Sequence, residues 1–384
     1  MAVSTFEFAT AGRIVFGRGA LAQAAPAVKS LGSRALIVTG RNAGRAQQLV
    51  DDIRAAGLVA LVTGVQGEPT LDWVRATASM ARDTGCNVVA ALGGGSAIDA
   101  GKAVAALVTN AGDPLDYLEV IGAGKPLSET PLPFVAIPTT AGTGSEVTRN
   151  AVLGATEQRV KVSLRSAAML PRVAIVDPLL SVSTPPAVTA STGLDALTQL
   201  IEPFLSPKAN PLTDALCRDG IPRIARSLRT AWKNGEDLDA REDMAYAALL
   251  GGIALANAGL GAVHGFAAPI GGMFSAAPHG AVCAVLLPHV LESNFRMMRS
   301  PEPLRRLDEV ARLLTGSDSA KAPDAVTWVQ LLVRDLQIPS LRSYGIEEPD
   351  FDAIATKAAQ ANSMKSNPVA LPHHELVGIL RSAW

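Results

Sequence analysis

The chain has 384 residues and a formal net charge of −1 at pH 7. That length suits two domains that each bury a core, and near-neutrality gives no electrostatic footing for nucleic acid. Aromatic residues make up only 4% while glycine, alanine and valine abound, which disfavours a base-stacking platform or a sandwich and favours closely packed α/β layers.

Met1 to Thr10 contains Glu7 and lacks a basic start followed by an apolar run, so no secretory leader is expected. The first half then alternates apolar runs with helical patterns. Ala35 to Thr39, Asn87 to Leu92, Phe134 to Ile137 and Val173 to Val176 read as buried strands. Ala43 to Ala56 and Leu71 to Thr84 read as helices between them. Strands alternating with helices predict a parallel, Rossmann-like sheet covered on both faces. After Asp177-Pro178 the strand signals stop, and Pro185-Pro186 marks a boundary. Helices are expected over Thr189 to Leu205, Pro211 to Trp232, Arg241 to Ala258, Pro303 to Leu314, Pro323 to Leu336 and Asp350 to Ala361. The expected organisation is therefore an α/β N-terminal domain, residues 1–180, and an all-α C-terminal domain, residues 181–384.

Two further readings concern environment. Cys86, Cys217 and Cys283 are scattered and form no CxxC pair, which argues against a disulfide framework and fits the cytoplasm. Met244 to Leu291 contains no Asp, Glu, Lys or Arg. Its glycine, alanine and proline content and its polar Asn257, His264 and His279 predict a buried helix rather than a membrane span.

The chemistry concentrates at strand ends. The strand ending at Leu92 runs into Gly93-Gly94-Gly95-Ser96, followed by a helix expected from Ala97 to Val108. Glycines let backbone N–H groups approach a ligand, and the helix N-terminus adds positive potential, so the turn suits an anion. Asp99 in the first turn favours the helix dipole or reaches a ribose or nicotinamide. The spacing is not GxGxxG. A second polar loop, Pro138 to Thr148, leaves the carboxyl end of the next strand, where open α/β sheets bind ligands.

GGGSAIDAGKAVA (Gly93 to Ala105) resembles the GGGSxxDxAK motif of iron-containing, group III alcohol dehydrogenases, with Gly101 in place of the motif's alanine. PTTAGTGSEVT (Pro138 to Thr148) is similar to that family's second nucleotide motif. AIVDP, TASTGLDALTQLIEPFLS and HGFAAPIGGMFSAAPHGAVCAVLLPH resemble its domain junction and its two metal-bearing segments. The resemblance covers nearly the whole chain and implies a dehydroquinate synthase-like fold. It implies that Gly94, Gly95 and Ser96 contact the pyrophosphate of NAD or NADP, with Asp99 nearby. Thr139, Thr140 and Thr143 would line the phosphates and nicotinamide riboside, and Lys161 the nicotinamide ribose. Asp195, Gln199, His264 and His279 occupy the four metal positions, where the family pattern is Asp, His, His, His. Gln199 is thus a departure, the segment before His279 carries one extra residue, and Ala268 stands where many members have a further histidine.

A glutamine carbonyl is a weak ligand, but Asp195, His264 and His279 still make a set suited to Fe2+ or Zn2+. His289 reads as a satisfied core histidine, and His373 and His374 as surface residues. Many NAD-preferring relatives carry an aspartate where Gly40 stands, and Arg41 and Arg45 follow it, which points to acceptance of NADP(H). The expected activity is reversible hydride transfer on a small alcohol, aldehyde or ketone by a cytoplasmic homodimer without nucleic-acid or membrane partners. Three rivals stay open: a metal-free carbonyl reductase resembling maleylacetate reductases, a lyase of the dehydroquinate synthase type, and a silent nucleotide-binding homologue.

Overall fold

The computed structural model describes residues 5–155, 158 and 160–384. Part of the Met1 to Thr10 reading therefore lies outside the described residues. The chain forms two compact units: Thr10–Thr140 with Gly144–Ser181, and Val182–Trp384 with Ala141–Thr143 and the N-terminal stretch through Ala9.

The first unit runs β1 (Ile14–Phe16), α1 (Ala24–Leu31), β2 (Arg34–Thr39), α2 (Gln47–Ala55), β3 (Val59–Gly64), α3 (Leu71–Asp83), β4 (Val88–Gly93), α4 (Gly95–Thr109), α5 (Pro114–Tyr117), β5 (Phe134–Pro138), β6 (Asn150–Ala155), β7 (Val160–Arg165) and β8 (Val173–Val176). A parallel sheet has the order β1-β8-β5-β4-β2-β3, while β6 and β7 pair separately as an antiparallel hairpin. β4, β5 and β8 are buried along their whole length, as strands covered on both faces must be. Two apolar clusters form around the sheet, one gathering α3, α4 and the hairpin, the other α1 and α2.

Parallel pairing aligns Thr39 with Leu92 and Gly93 with Pro138, so the carboxyl ends of β2, β4 and β5 lie side by side. Thr139 N–H donates to Gly93 O at 2.9 Å, which fixes the loop after β5 against the glycine turn. A Cβ on Gly93 would stand 2.6 Å from Ala97 Cβ and 3.3 Å from Gly40 N, so only glycine fits there. Gly101 has a different cause: a Cβ would meet the Phe134 ring at 2.7 Å and Ala91 at 2.9 Å. The family alanine would require the Phe134 ring to shift.

The second unit is helical: α6 (Pro186–Leu205), α7 (Pro211–Lys233), α8 (Leu238–Ala258), α9 (Ala262–Met273), α10 (His279–Met297), α11 (Pro301–Thr315), α12 (Ala322–Asp335), α13 (Phe351–Gln360) and α14 (His373–Ala383). Prolines stand in the first turn of α6, α7, α11 and α12, where a missing N–H is tolerated. The Asn210 side chain caps α7 by accepting from Leu212 N and Thr213 N. α6 is buried from Gly193 to Leu205 and forms the axis of the core.

Two expectations need correction. Met244 to Leu291 is not one buried helix but parts of α8, α9 and α10. Gly259 ends α8 at φ 76°, a conformation that disfavours any side chain, and Phe274 to Pro278 separate α9 from α10. Among the described residues no single helix is long and apolar enough to cross a membrane; α8 and α9 qualify only together, across a 97° bend. His289 is half-buried and its buried Nδ1 has no hydrogen-bond partner, so it is not a satisfied core histidine, and desolvation pulls its pKa down. His373 and His374 are exposed, as expected.

Candidate functional site

In the first unit the glycine turn opens α4 directly. Gly94 is the helix N-cap and no side chain caps it; Ala97 and Ile98 N–H donate to Gly94 O, which leaves the first two N–H groups of the helix, those of Gly95 and Ser96, for a ligand. A Cβ on Gly94 would touch only Thr140, at ordinary contact distance. The fold itself does not demand glycine at this position. Gly95, Ser96 and Thr140 are half-buried and Thr139 is buried. Gly40 follows β2 beside this turn, and a Cβ there would meet nothing within 4 Å. Arg41 is exposed, whereas Arg45 donates to the Leu180 carbonyl at 2.6 Å. Lys161 on β7 forms an ion pair with Glu68 at 3.2 Å.

Asp99 faces inward. Its Oδ2 accepts from Val152 N–H at 2.9 Å, and its Oδ1 accepts from the Ser145 hydroxyl. Lys102 Nζ lies 3.2 Å from Oδ1. Lys102 is buried and donates to Ser145 O and Thr148 Oγ1, both at 2.9 Å, and to Asn150 O. Burial pulls its pKa down, against the opposing pull of Asp99 and Glu146. Glu146 is buried beside it and pushed up to about 7 by that burial, which the Lys102 charge only partly offsets. Sequence reasoning quoted Lys102 within its motif without giving it a role. A lysine amid alanines on an otherwise buried helix was the signal.

In the second unit Asp195, Gln199 and Glu202 lie four and seven residues apart along one face of α6. His264 comes from the first turn of α9, and His279 opens α10. Packing of these three helices brings the side chains together. Asp195 Oδ1 is 3.4 Å from His264 Nε2 and 3.7 Å from His279 Nε2. Gln199 Nε2 donates to Asp195 Oδ2 at 2.8 Å. Glu202 Oε2 takes His264 Nδ1–H at 2.7 Å, and Glu202 Oε1 accepts from Val263 N–H at 2.7 Å. With Nδ1 engaged by Glu202, Nε2 is the ring nitrogen turned toward Asp195. Glu202 was missed at the sequence level. So was Cys283, whose Sγ lies 3.7 Å from His279 Nε2.

Whether a divalent ion fits can be judged from the donors themselves. Asp195 Oδ1 and Gln199 Oε1 are buried and accept no hydrogen bond. Orphan buried acceptors are costly unless a cation or donor satisfies them. Atoms about 2.1 Å from a shared tetrahedral ion stand about 3.4 Å apart, close to the separations seen here. The electrostatics agree. Burial lowers the His264 pKa, but Cys283, Glu202 and Asp195 outweigh it and hold it well above its ordinary value. Cys283 and Asp195 likewise push His279 up to about 9 against the effect of burial. Burial raises the Asp195 pKa, yet His279, His264 and Gln199 together hold it below the usual carboxylate range. The pocket is thus negative enough to attract positive charge, and the residues fit a divalent metal.

The chain is similar to known proteins over nearly its whole length. Residues 11–178 match the family model "Iron-containing alcohol dehydrogenase", and residues 189–384 match "Fe-containing alcohol dehydrogenase family, C-terminal". Alcohol dehydrogenase 4 of Saccharomyces cerevisiae (strain YJM789) is 38% identical over 378 residues, covering 96% of each chain. A crystal structure of 1,3-propanediol oxidoreductase superposes with TM-score 0.92 at 36% identity, over 99% of this chain and 100% of the other. Sulfoacetaldehyde reductase from Bifidobacterium kashiwanohense, solved in complex with NAD+, superposes with TM-score 0.88 at 28% identity over 99% of each chain. Matched by family models over both of its units, the chain belongs to the iron-containing alcohol dehydrogenases.

Proposed function

We propose that the protein is an NAD(P)-dependent, metal-dependent alcohol dehydrogenase that interconverts a small alcohol and its aldehyde or ketone. The observation that carries this reading is the buried Asp195, whose Oδ1 lacks a hydrogen bond while two imidazoles face it. Asp195, His264 and His279 would hold the ion, with Gln199 adjoining. When bound, the ion supplies an electrophile for the substrate oxygen, and the nicotinamide supplies the hydride acceptor or donor. Glu202 keeps His264 in the tautomer that can ligate. Gln199 orients Asp195 through its amide N–H.

The uncapped N–H groups after Gly94, with Gly95 and Ser96, would receive the pyrophosphate. Thr139, Thr140 and Thr143 would line the phosphates and riboside, and Lys161 the nicotinamide ribose. Asp99, held by Lys102, Ser145 and Val152, would stiffen that turn from behind. Ala268 is exposed on α9 and offers no proton-carrying group, so the hydroxyl proton would leave to water. A cytoplasmic protein without nucleic-acid or membrane partners is proposed; near-neutral charge gives nucleic acid no electrostatic footing. A homodimer is proposed for it.

The purified protein is expected to reduce at least one member of a panel of short aldehydes and ketones with NADH or NADPH, and to lose that activity after chelator dialysis. No turnover across the panel would sink the enzymatic reading, and full activity in metal-free protein would favour a metal-independent reductase.

Cofactor choice gives a second test. An aspartate at the Gly40 position would bind the adenosine ribose hydroxyls and repel a 2′-phosphate. Gly40 does neither, and exposed Arg41 can add a charge-assisted contact worth roughly 1.5–3 kcal/mol. Arg45 is already engaged with Leu180 O and contributes less. The parent is expected to bind NADP(H), with NAD(H) still usable. Gly40→Asp, for which the backbone leaves room, is expected to weaken NADP binding by roughly tenfold or more. Undiminished NADP affinity in that variant, measured by calorimetry, would refute the assignment.

A further inference from the structure

Cys283 follows His279 by one turn on α10, so the two side chains share a helix face. Its Sγ is 3.7 Å from His279 Nε2 and 3.9 Å from His264 Nε2. One donor atom from each of Asp195, His264, His279 and Cys283 lies within 4.8 Å of all the others. A thiolate about 2.3 Å from an ion and an imidazole nitrogen about 2.1 Å from it stand about 3.6 Å apart when tetrahedral, near the observed spacings. Gln199 occupies the second of the four family positions, but its amide N–H is committed to Asp195 Oδ2, and an amide carbonyl is a poor donor to a borderline metal.

The other helical-unit thiol shows what a purely structural cysteine looks like in this fold. Cys217 is buried in the α6–α7 core, and desolvation pushes its pKa far above the ordinary thiol value. Cys283 is equally buried, yet it faces two imidazoles and an unsatisfied carboxylate oxygen. An apolar filler would not require those neighbours.

We infer that the Cys283 thiolate is the fourth protein ligand of the metal, replacing the histidine that Gln199 displaced, and that it shifts the site toward thiophilic ions. Zn2+ and Co2+ are then retained better than the hard ions Mg2+ and Mn2+. Gln199 becomes a positioning residue for Asp195. The inference rests on the reading that the helical unit holds a divalent ion.

The test is cobalt spectroscopy on full-length protein stripped of metal and reloaded with Co2+, with bound cobalt quantified by elemental analysis. A thiolate-to-cobalt charge-transfer band in the near ultraviolet is expected in the parent and in Cys217→Ala, and its loss is expected in Cys283→Ala. Zinc affinity, measured against a competing chelator, is expected to fall by more than about tenfold in Cys283→Ala. Stoichiometric cobalt without the band, or a band that survives Cys283→Ala, would overturn thiolate ligation while leaving the metal reading intact. A parent that binds no cobalt would overturn both. Should Cys283→Ala not fold, X-ray absorption at the zinc edge of the parent decides: a sulfur scatterer at about 2.3 Å supports the inference, and its absence refutes it.

Discussion

An Asp195→Ala variant is expected to lose at least about 10³-fold in turnover while its nucleotide affinity changes by less than about twofold. Asp195 contributes a buried carboxylate to the cluster on α6, α9 and α10, all within the helical unit. The glycine turn, Gly40 and Thr139 all belong to the other unit. Deleting Asp195 removes the oxygen that accepts no hydrogen bond and strands the Gln199 amide N–H that donates to its neighbour. It also removes one of the negative charges that draw a cation between the imidazoles. Metal content should therefore fall with turnover. Asp195→Asn separates charge from shape, because its amide oxygen can still accept from Gln199. If charge governs metal retention, Asp195→Asn should lose metal nearly as completely as the alanine variant. An alanine variant with parental activity would disprove a metal mechanism. One that lost nucleotide binding in equal measure would show that Asp195 acts on the fold rather than on the site.

How much of this was legible in the sequence depends on the length and periodicity of each signal. β2, β4, β5 and β8 were readable because strands buried on both faces are continuous apolar runs. β1 was too short to register, at three residues. β3 is an edge strand whose Val59 and Val62 are exposed; its apolar run, Leu58 to Val62, resembles that of the buried strands and was passed over in the sequence. The β6–β7 hairpin alternates buried with half-buried residues and lies within a stretch dominated by polar loop chemistry. In the helical half, amphipathic α7, α11 and α12 announced themselves. α9 and α10 did not, because a helix packed on nearly every side loses its polar face and with it the 3.6-residue period.

The candidate site divides in the same way. Asp195, His264 and His279 were recoverable from motif order, and the glycine turn from strand–turn–helix context. Glu202 and Cys283 were not, since neither has meaning until α6, α9 and α10 are packed. Glu202 lies two turns beyond Asp195, which a helical wheel could have shown. Cys283 lies four residues after His279, a spacing that marks a shared face but says nothing about what that face meets. Asp99 was read as serving the helix dipole or reaching a ribose or nicotinamide because the helix was expected to begin at Ala97; α4 begins two residues earlier, at Gly95, which puts Asp99 beyond its first turn. Of its actual partners, Ser145 and Val152 come from segments 46 and 53 residues distant in the chain, while Lys102 lies one turn along α4.

That network leads to the second large effect. Lys102→Met is expected to destabilise the protein by about 3–5 kcal/mol and to weaken nucleotide binding by roughly tenfold. The Lys102 side chain is fully buried, and its ammonium serves Ser145 O, Thr148 Oγ1 and Asn150 O while neutralising Asp99 at 3.2 Å. Methionine fills much the same volume but leaves these acceptors unpaired and the Asp99 carboxylate without its cation. The consequence reaches the nucleotide because α4 begins at the glycine turn, while Ser145 and Thr148 belong to the loop after β5. Lys102 fastens one to the other. Urea unfolding gives the stability change, and calorimetry with NAD(H) and NADP(H) gives the affinity. Adding Asp99→Asn to Lys102→Met removes the stranded charge and is expected to recover about 1–2 kcal/mol, a gain that lost packing alone cannot produce. A single variant within about 0.5 kcal/mol of the parent would show that the buried lysine is dispensable. A double variant no more stable than the single one would locate the loss in the vacated carbonyls rather than in the charge on Asp99.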